Sequence, residues 1–221
     1  MKNESASRPK KIFFIGFHKT GTGYYNKLFK NLGFITLHHW TWTRGNSRVL
    51  GRHDVFLDGC LHRYKTLYRK YPDAFYILNT RELKDWLVSR MKWNQERYGH
   101  FPQWCLRLMN GYHRYSWGND CYFNLELVKE WILERQKYHE EVKAFFERKQ
   151  KPLLVLDIGD EEKLVKLWNY LELPEARLSE FQSGKKENES AIDPARIDQY
   201  EQLALQAMRE LNLPVSRVGD A

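Results

Sequence analysis

Apolar residues fall in two patterns along this chain: short unbroken runs, and longer stretches where they return every three or four positions. The strongest runs are Ile12-Phe13-Phe14-Ile15, residues 74–80 and Leu153-Leu154-Val155-Leu156-Asp157-Ile158, with a shorter one at Val55-Phe56-Leu57. Unbroken rather than alternating hydrophobicity marks strands buried on both faces, as in parallel sheets. Helical spacing follows the runs. Tyr24, Tyr25, Leu28, Phe29 and Leu32 form an apolar stripe that stops at Gly33. A helix through Arg63, Lys65, Leu67 and Tyr68 ends before Pro72, and another, after Arg81, turns Trp86 and Leu87 toward the sheet. Residues 124–149 predict one long helix. Leu127, Val128, Trp131, Ile132, Tyr138, Val142 and Phe145 are its apolar face, and Lys129, Glu134, Arg135 and Glu140 its solvated one. Gly159-Asp160 opens a helix over 161–171, and Asp193-Pro194 starts a last one through Tyr200 to Leu211.

Strands that alternate with helices predict an α/β fold: three layers, with a mostly parallel sheet flanked by helices and right-handed connections. At 221 residues the chain can build one substantial core. No repeat is evident, so residues 11–221 are expected to form a single domain behind a disordered tail at 1–10.

The chemistry concentrates at 16–23, where the first run breaks into Gly16-Phe17-His18-Lys19-Thr20-Gly21-Thr22-Gly23 and a helix follows. Strand, glycine-rich turn and helix together aim backbone N–H groups and the positive end of a helix dipole at one point, which suits a phosphate or sulfate. A nucleotide-binding Walker A loop requires GxxxxGK[ST]. Gly16 and Gly21 have that separation, but Thr22 stands where the lysine belongs, and the lysine is Lys19, inside the loop. A kinase or NTP hydrolase is disfavoured on that account; its one acidic Mg²⁺ candidate is Asp157, late on a strand.

GFHKTGT followed by an amphipathic helix resembles the 5′-phosphosulfate loop of the sulfotransferases. These enzymes move a sulfuryl group from 3′-phosphoadenosine 5′-phosphosulfate (PAPS) to a hydroxyl or amine. The family's second signature, a strand ending in arginine with a serine eight residues later, is matched by the run to Thr80-Arg81 and by Ser89. The resemblance covers about residues 11–92, is similar in scale to the small bacterial-type members, and implies a P-loop NTPase-like fold. It implies that Lys19, Thr20, Gly21, Thr22 and Gly23 bind the 5′-phosphosulfate and that Arg81 and Ser89 hold the 3′-phosphate. Lys19 would also neutralise charge growing on the leaving oxygen. Lys185 and Lys186, in the loop 181–188, match a late basic segment that covers the same phosphate, although a solvated loop fits them as well. The family places a catalytic base at the end of the strand before the arginine motif. Asp58 matches best, with His62 next; otherwise Asp58 would be a helix N-cap and His62 a half-exposed helical side chain. A scaffold that binds an anion or nucleic acid without chemistry is the third possibility.

Charge adds little discrimination. The formal net charge of +8 calls for an anionic partner; the donor meets it, and nucleic acid or an acidic polysaccharide would meet it as well, so it is the family resemblance that leads to no nucleic acid being expected. Cys60, Cys105 and Cys121 have no paired spacing, which predicts reduced thiols in a cytoplasmic protein. No apolar stretch is long enough for a membrane span. His38, His39 and His53 lie in the aromatic stretch 34–54 without a carboxylate or cysteine spacing, so no metal site is expected there. That stretch is expected to be a surface connection with some acceptor-facing side chains, its Trp40 and Trp42 stacking on a ligand ring or packing in the core. The aromatic segment 93–123 lines an acceptor pocket, forms a lid, or packs as an excursion. A small-molecule, carbohydrate or lipid acceptor fits this aromatic load.

Overall fold

The four apolar runs and one further, more polar segment pair into one sheet in the computed structural model, which describes residues 10–59, 63–99, 123–174 and 194–215. Expectations at 1–9, His62, 100–122, Lys185 and Lys186, and the three cysteines lie outside the described residues. The strands are β1 (Ile12–Phe14), β2 (Thr36–His38), β3 (Val55–Leu57), β4 (Phe75–Thr80) and β5 (Leu154–Asp157), in the spatial order β2-β3-β1-β4-β5. Every pairing is parallel. β2 and the two short helical segments after it, Trp40–Arg44 and α2 (Ser47–Arg52), occupy the stretch expected to be a connection. Thr36-Leu37-His38 is too short and too polar to announce itself as a strand; pairing with β3 decides it.

By contact clustering the chain falls into two units, 1–81 with 139–187 and 82–138 with 188–221. In the first unit the sheet is covered on both faces. Ile12, Phe14, Val55, Leu57, Ile77 and Leu156 meet the apolar stripes of α1 (Thr22–Asn31) and α6 (Lys163–Leu171) in one buried cluster. On the opposite face Phe13 stacks on Phe56 and Tyr76 at 4.8 and 5.6 Å. Tyr64 and Tyr68 of α3 (Tyr64–Lys70) and Phe146, in the C-terminal part of α5 (Leu125–Arg148), close that side. Helix, sheet, helix is the three-layer α/β arrangement the hydrophobic runs predict. Trp42 goes to the core: it is 1% exposed, its ring lies 5.8 Å from that of Phe13, and its indole N–H donates to the Leu57 carbonyl at 2.9 Å.

The second unit holds α4 (Leu83–Tyr98), the N-terminal part of α5 and α7 (Pro194–Glu210), with α4 packed on α7. Trp86, Met91, Val128, Trp131, Ile132, Ala204 and Met208 are buried there. Arg90 is also buried, its guanidinium 3.9 Å from the Trp131 ring centroid, so an aromatic face covers the cation.

Candidate active site

In a parallel sheet every strand delivers its C-terminal end to the same edge, and a reversal of strand order opens a crevice there. Here β1 has β3 on one side and β4 on the other, so the loop leaving β1 emerges at that reversal. Its second residue must be glycine: a Cβ on Gly16 would lie 1.9 Å from the Asn79 carbonyl oxygen. Asn79 itself, fully buried on β4, builds the loop. Its Oδ1 accepts the Gly16 N–H at 2.9 Å, and its amide donates to the Phe17 carbonyl at 3.3 Å and to the Thr20 hydroxyl. The Thr20 hydroxyl in turn donates to Phe17 O, so this side chain serves the loop's own conformation. A buried asparagine inside an apolar strand was the available signal, and the motif reading passed over it. Replacing Asn79 by Leu leaves the Gly16 N–H without its partner and strips two donors from the loop. A loss of about 2–4 kcal/mol is expected in urea unfolding; a change below ~1 kcal/mol would contradict the role.

Gly21 closes the turn with φ 81°, and a Cβ there would come within 2.5 Å of Ile158, just beyond β5. The Tyr25 N–H donates to the Gly21 carbonyl at 3.3 Å, the first hydrogen bond of α1. The N–H groups of Thr22, Gly23 and Tyr24 therefore have no intrahelical partner, and the positive end of the helix dipole lies with them.

Five described residues other than glycine have positive φ. Gln150, Glu172 and Asn212 follow the ends of α5, α6 and α7, where a left-handed residue terminates the helix. The other two are Lys19 (φ 66°) and Asp58 (φ 56°), and neither terminates a helix. Each costs on the order of 1 kcal/mol for a side chain in that region. Both are among the three catalytic candidates of the sequence, the third of which, His62, lies outside the described residues. Asp58 is not an N-cap: α3 begins only at Tyr64, with Arg63 at its cap position.

Asp58 leaves β3 beside α1. The Thr22 hydroxyl donates toward Asp58 Oδ1 at 3.4 Å, and His38 Nε2, at the end of β2, lies 3.0 Å from the same hydroxyl. The sequence gives no hint of this junction, because residues 22, 38 and 58 meet only when β2 pairs with β3. Arg81 follows β4 directly and is half-buried. Ser89 lies on α4, within the second unit, and is half-buried as well. The phenols beside the loop are poor candidates for a base: burial pushes both Tyr24 and Tyr25 up, the latter far beyond the usual tyrosine range, with the negative charge of Asp157 adding to it. Asp157, the acidic candidate of the kinase reading, sits on the edge strand with β4 between it and β1, and its Oδ1 accepts the Gly159 N–H at 2.7 Å. Among the described residues no group of three or more His, Cys, Asp or Glu side chains is gathered to hold a metal, and no helix is long and apolar enough to cross a membrane.

Comparison with known proteins bears on this site from the β3 side. No curated protein matches the chain. A family model described as a sulfotransferase domain matches residues 43–172, more than half of the chain. The match takes in β3, Asp58, β4, Arg81, Ser89 and β5, and begins after the glycine-rich loop. An α/β parallel sheet with an arginine directly after β4 accords with that match, and the chain belongs to the sulfotransferase family.

Proposed function

We propose that this protein transfers a sulfuryl group from PAPS to the hydroxyl or amine of an acceptor by in-line displacement. The observation that carries the reading is the turn after β1, in which Lys19 precedes a helix start whose first N–H groups have no intrahelical partner, while Thr22 at that start contacts the carboxylate of Asp58 just after β3. The N–H groups of the turn, with Thr20 and Gly21 fixing its shape, form the cradle for the 5′-phosphosulfate, and Gly23 keeps the opening of α1 clear of a side chain. Lys19 meets the negative charge that builds on the bridging oxygen as the S–O bond breaks and its electron pair stays with the phosphate. Asp58 takes the proton of the acceptor as the new bond to sulfur forms. His62 is the other candidate for that step, and Lys185 and Lys186 are assigned to the donor's 3′-phosphate by the motif resemblance alone.

Arg81 is the proposed ligand of the 3′-phosphate, its planar fork of donors matching a phosphate monoester. Ser89 is proposed as a second ligand from the spacing of the motif. The acceptor is taken to be a small molecule, carbohydrate or lipid, in a cytoplasmic setting with no nucleic-acid partner. Calorimetric titration with the donor's product, 3′-phosphoadenosine 5′-phosphate (PAP), against ATP–Mg²⁺ tests the reading. PAP is expected to bind better, and Arg81→Ala to weaken it roughly 10- to 100-fold, the scale of a lost charge-assisted pair. Preference for ATP–Mg²⁺, or indifference to the substitution, would favour a kinase or a non-catalytic scaffold instead.

A further inference from the structure

His38 has no part in the motifs, yet it ends β2 with Nε2 3.0 Å from the Thr22 hydroxyl, which itself lies 3.4 Å from Asp58 Oδ1. The chemistry of the three groups fixes the direction of the chain they form. An ionised carboxylate only accepts, a hydroxyl has a single hydrogen, and a neutral imidazole can donate from Nε2. All three are satisfied together only if His38 Nε2–H donates to Thr22 and Thr22 O–H donates to Asp58. We propose that His38 is a positioning residue for the base: through Thr22 it commits Asp58 Oδ1, leaving Oδ2 to take the proton of the acceptor. The inference rests on the assignment of Asp58 as base made above.

Three features support it. Asp58 is held at φ 56°, so its side chain is displayed by a backbone conformation that needs external fixing. Thr22 is 6% exposed and so poorly placed to hydrogen-bond with bulk water. The longer Thr22–Asp58 contact is of the kind that tightens when the reacting complex forms. Thr22 thus contributes its backbone N–H to the anion cradle and its hydroxyl to the base, which joins the donor and acceptor halves of the site through one residue.

Two measurements test this on the whole chain. Imidazole nitrogen NMR, with the His38 signal assigned by its loss in His38→Gln, is expected to show the Nε2–H tautomer in the wild type and a shifted resonance in Thr22→Val. This readout needs no donor or turnover, so it stands even if the protein does not use PAPS. An Nδ1–H tautomer at His38 would overturn the proposal. The second measurement is a cycle of single-turnover PAPS cleavage. His38→Ala is expected to lower the rate roughly 10-fold with PAP affinity unchanged, His38→Gln to restore most of it through its amide donor, and His38→Ala to cost nothing further in an Asp58→Asn background. Losses that multiply in the double variant, or a Gln variant as impaired as the Ala, would show that His38 acts independently of Asp58 and overturn the positioning role. Failure of wild-type protein to bind PAP or cleave PAPS would count against the donor assignment, while the tautomer still decides the chain.

Discussion

Lys19→Ala is expected to lower the rate of PAPS cleavage by about 10²–10³-fold, the scale of losing one preorganised group that stabilises charge in a transition state. Affinity for PAP is expected to fall only a few-fold, because the backbone N–H groups of the turn and Arg81 remain in place. The contrast is what identifies the role. Lys19 occupies a left-handed backbone position inside the turn, where a glycine would be favoured on conformational grounds. Alanine there keeps the conformational cost and removes the cation. Single-turnover release of PAP from PAPS, with water as the sulfuryl acceptor, measures the step without an identified acceptor. Equal losses in binding and rate would mean that Lys19 merely attracts the anion, and an unchanged rate would remove it from the mechanism.

Asp58→Asn is expected to reduce transfer by about 10²–10⁴-fold, the range for removal of a general base. The substitution preserves volume, and its amide oxygen can still accept from Thr22, so the fold and the donor cradle should survive. Calorimetry with PAP provides the control, with affinity expected to stay within a few-fold of the wild type. Retention of full activity by Asp58→Asn would exclude the carboxylate, and a parallel His62→Ala variant would then test the other candidate. Loss of PAP binding in Asp58→Asn would mean that the Thr22 contact holds the turn itself, rather than serving proton transfer.

The architecture was written locally to a large degree. Ile12-Phe13-Phe14 and the run ending at Thr80 are apolar on both faces because both faces are covered, and the stripe at Tyr25, Leu28, Phe29 and Leu32 is apolar on one face because α1 lies on the sheet. Gly16 and Gly21 belong to the same class of signal. One tolerates no Cβ against β4, and the other carries positive φ beside Ile158, so each appears in the sequence as a glycine. β2 escaped notice because three residues of mixed polarity carry no period; strand formation there comes from the hydrogen bonds to β3 rather than from the residues. Trp42 could be assigned to core or ligand only once Phe13, Phe56 and the Leu57 carbonyl were seen around it.

The candidate site divides along the same line. Sequence alone determined the glycine-bounded turn between β1 and α1, the displaced lysine and the arginine after β4, since each depends on residues a few positions apart whose backbone geometry follows from glycine, helix start and strand end. Tertiary structure decided which polar groups converge on that turn. Asn79 reaches Gly16 across 63 positions, and Asp58 and His38 reach Thr22 across 36 and 16. Such contacts depend on the order in which parallel strands are laid side by side. That order is fixed by the packing of the whole sheet, and no local pattern in the chain encodes it.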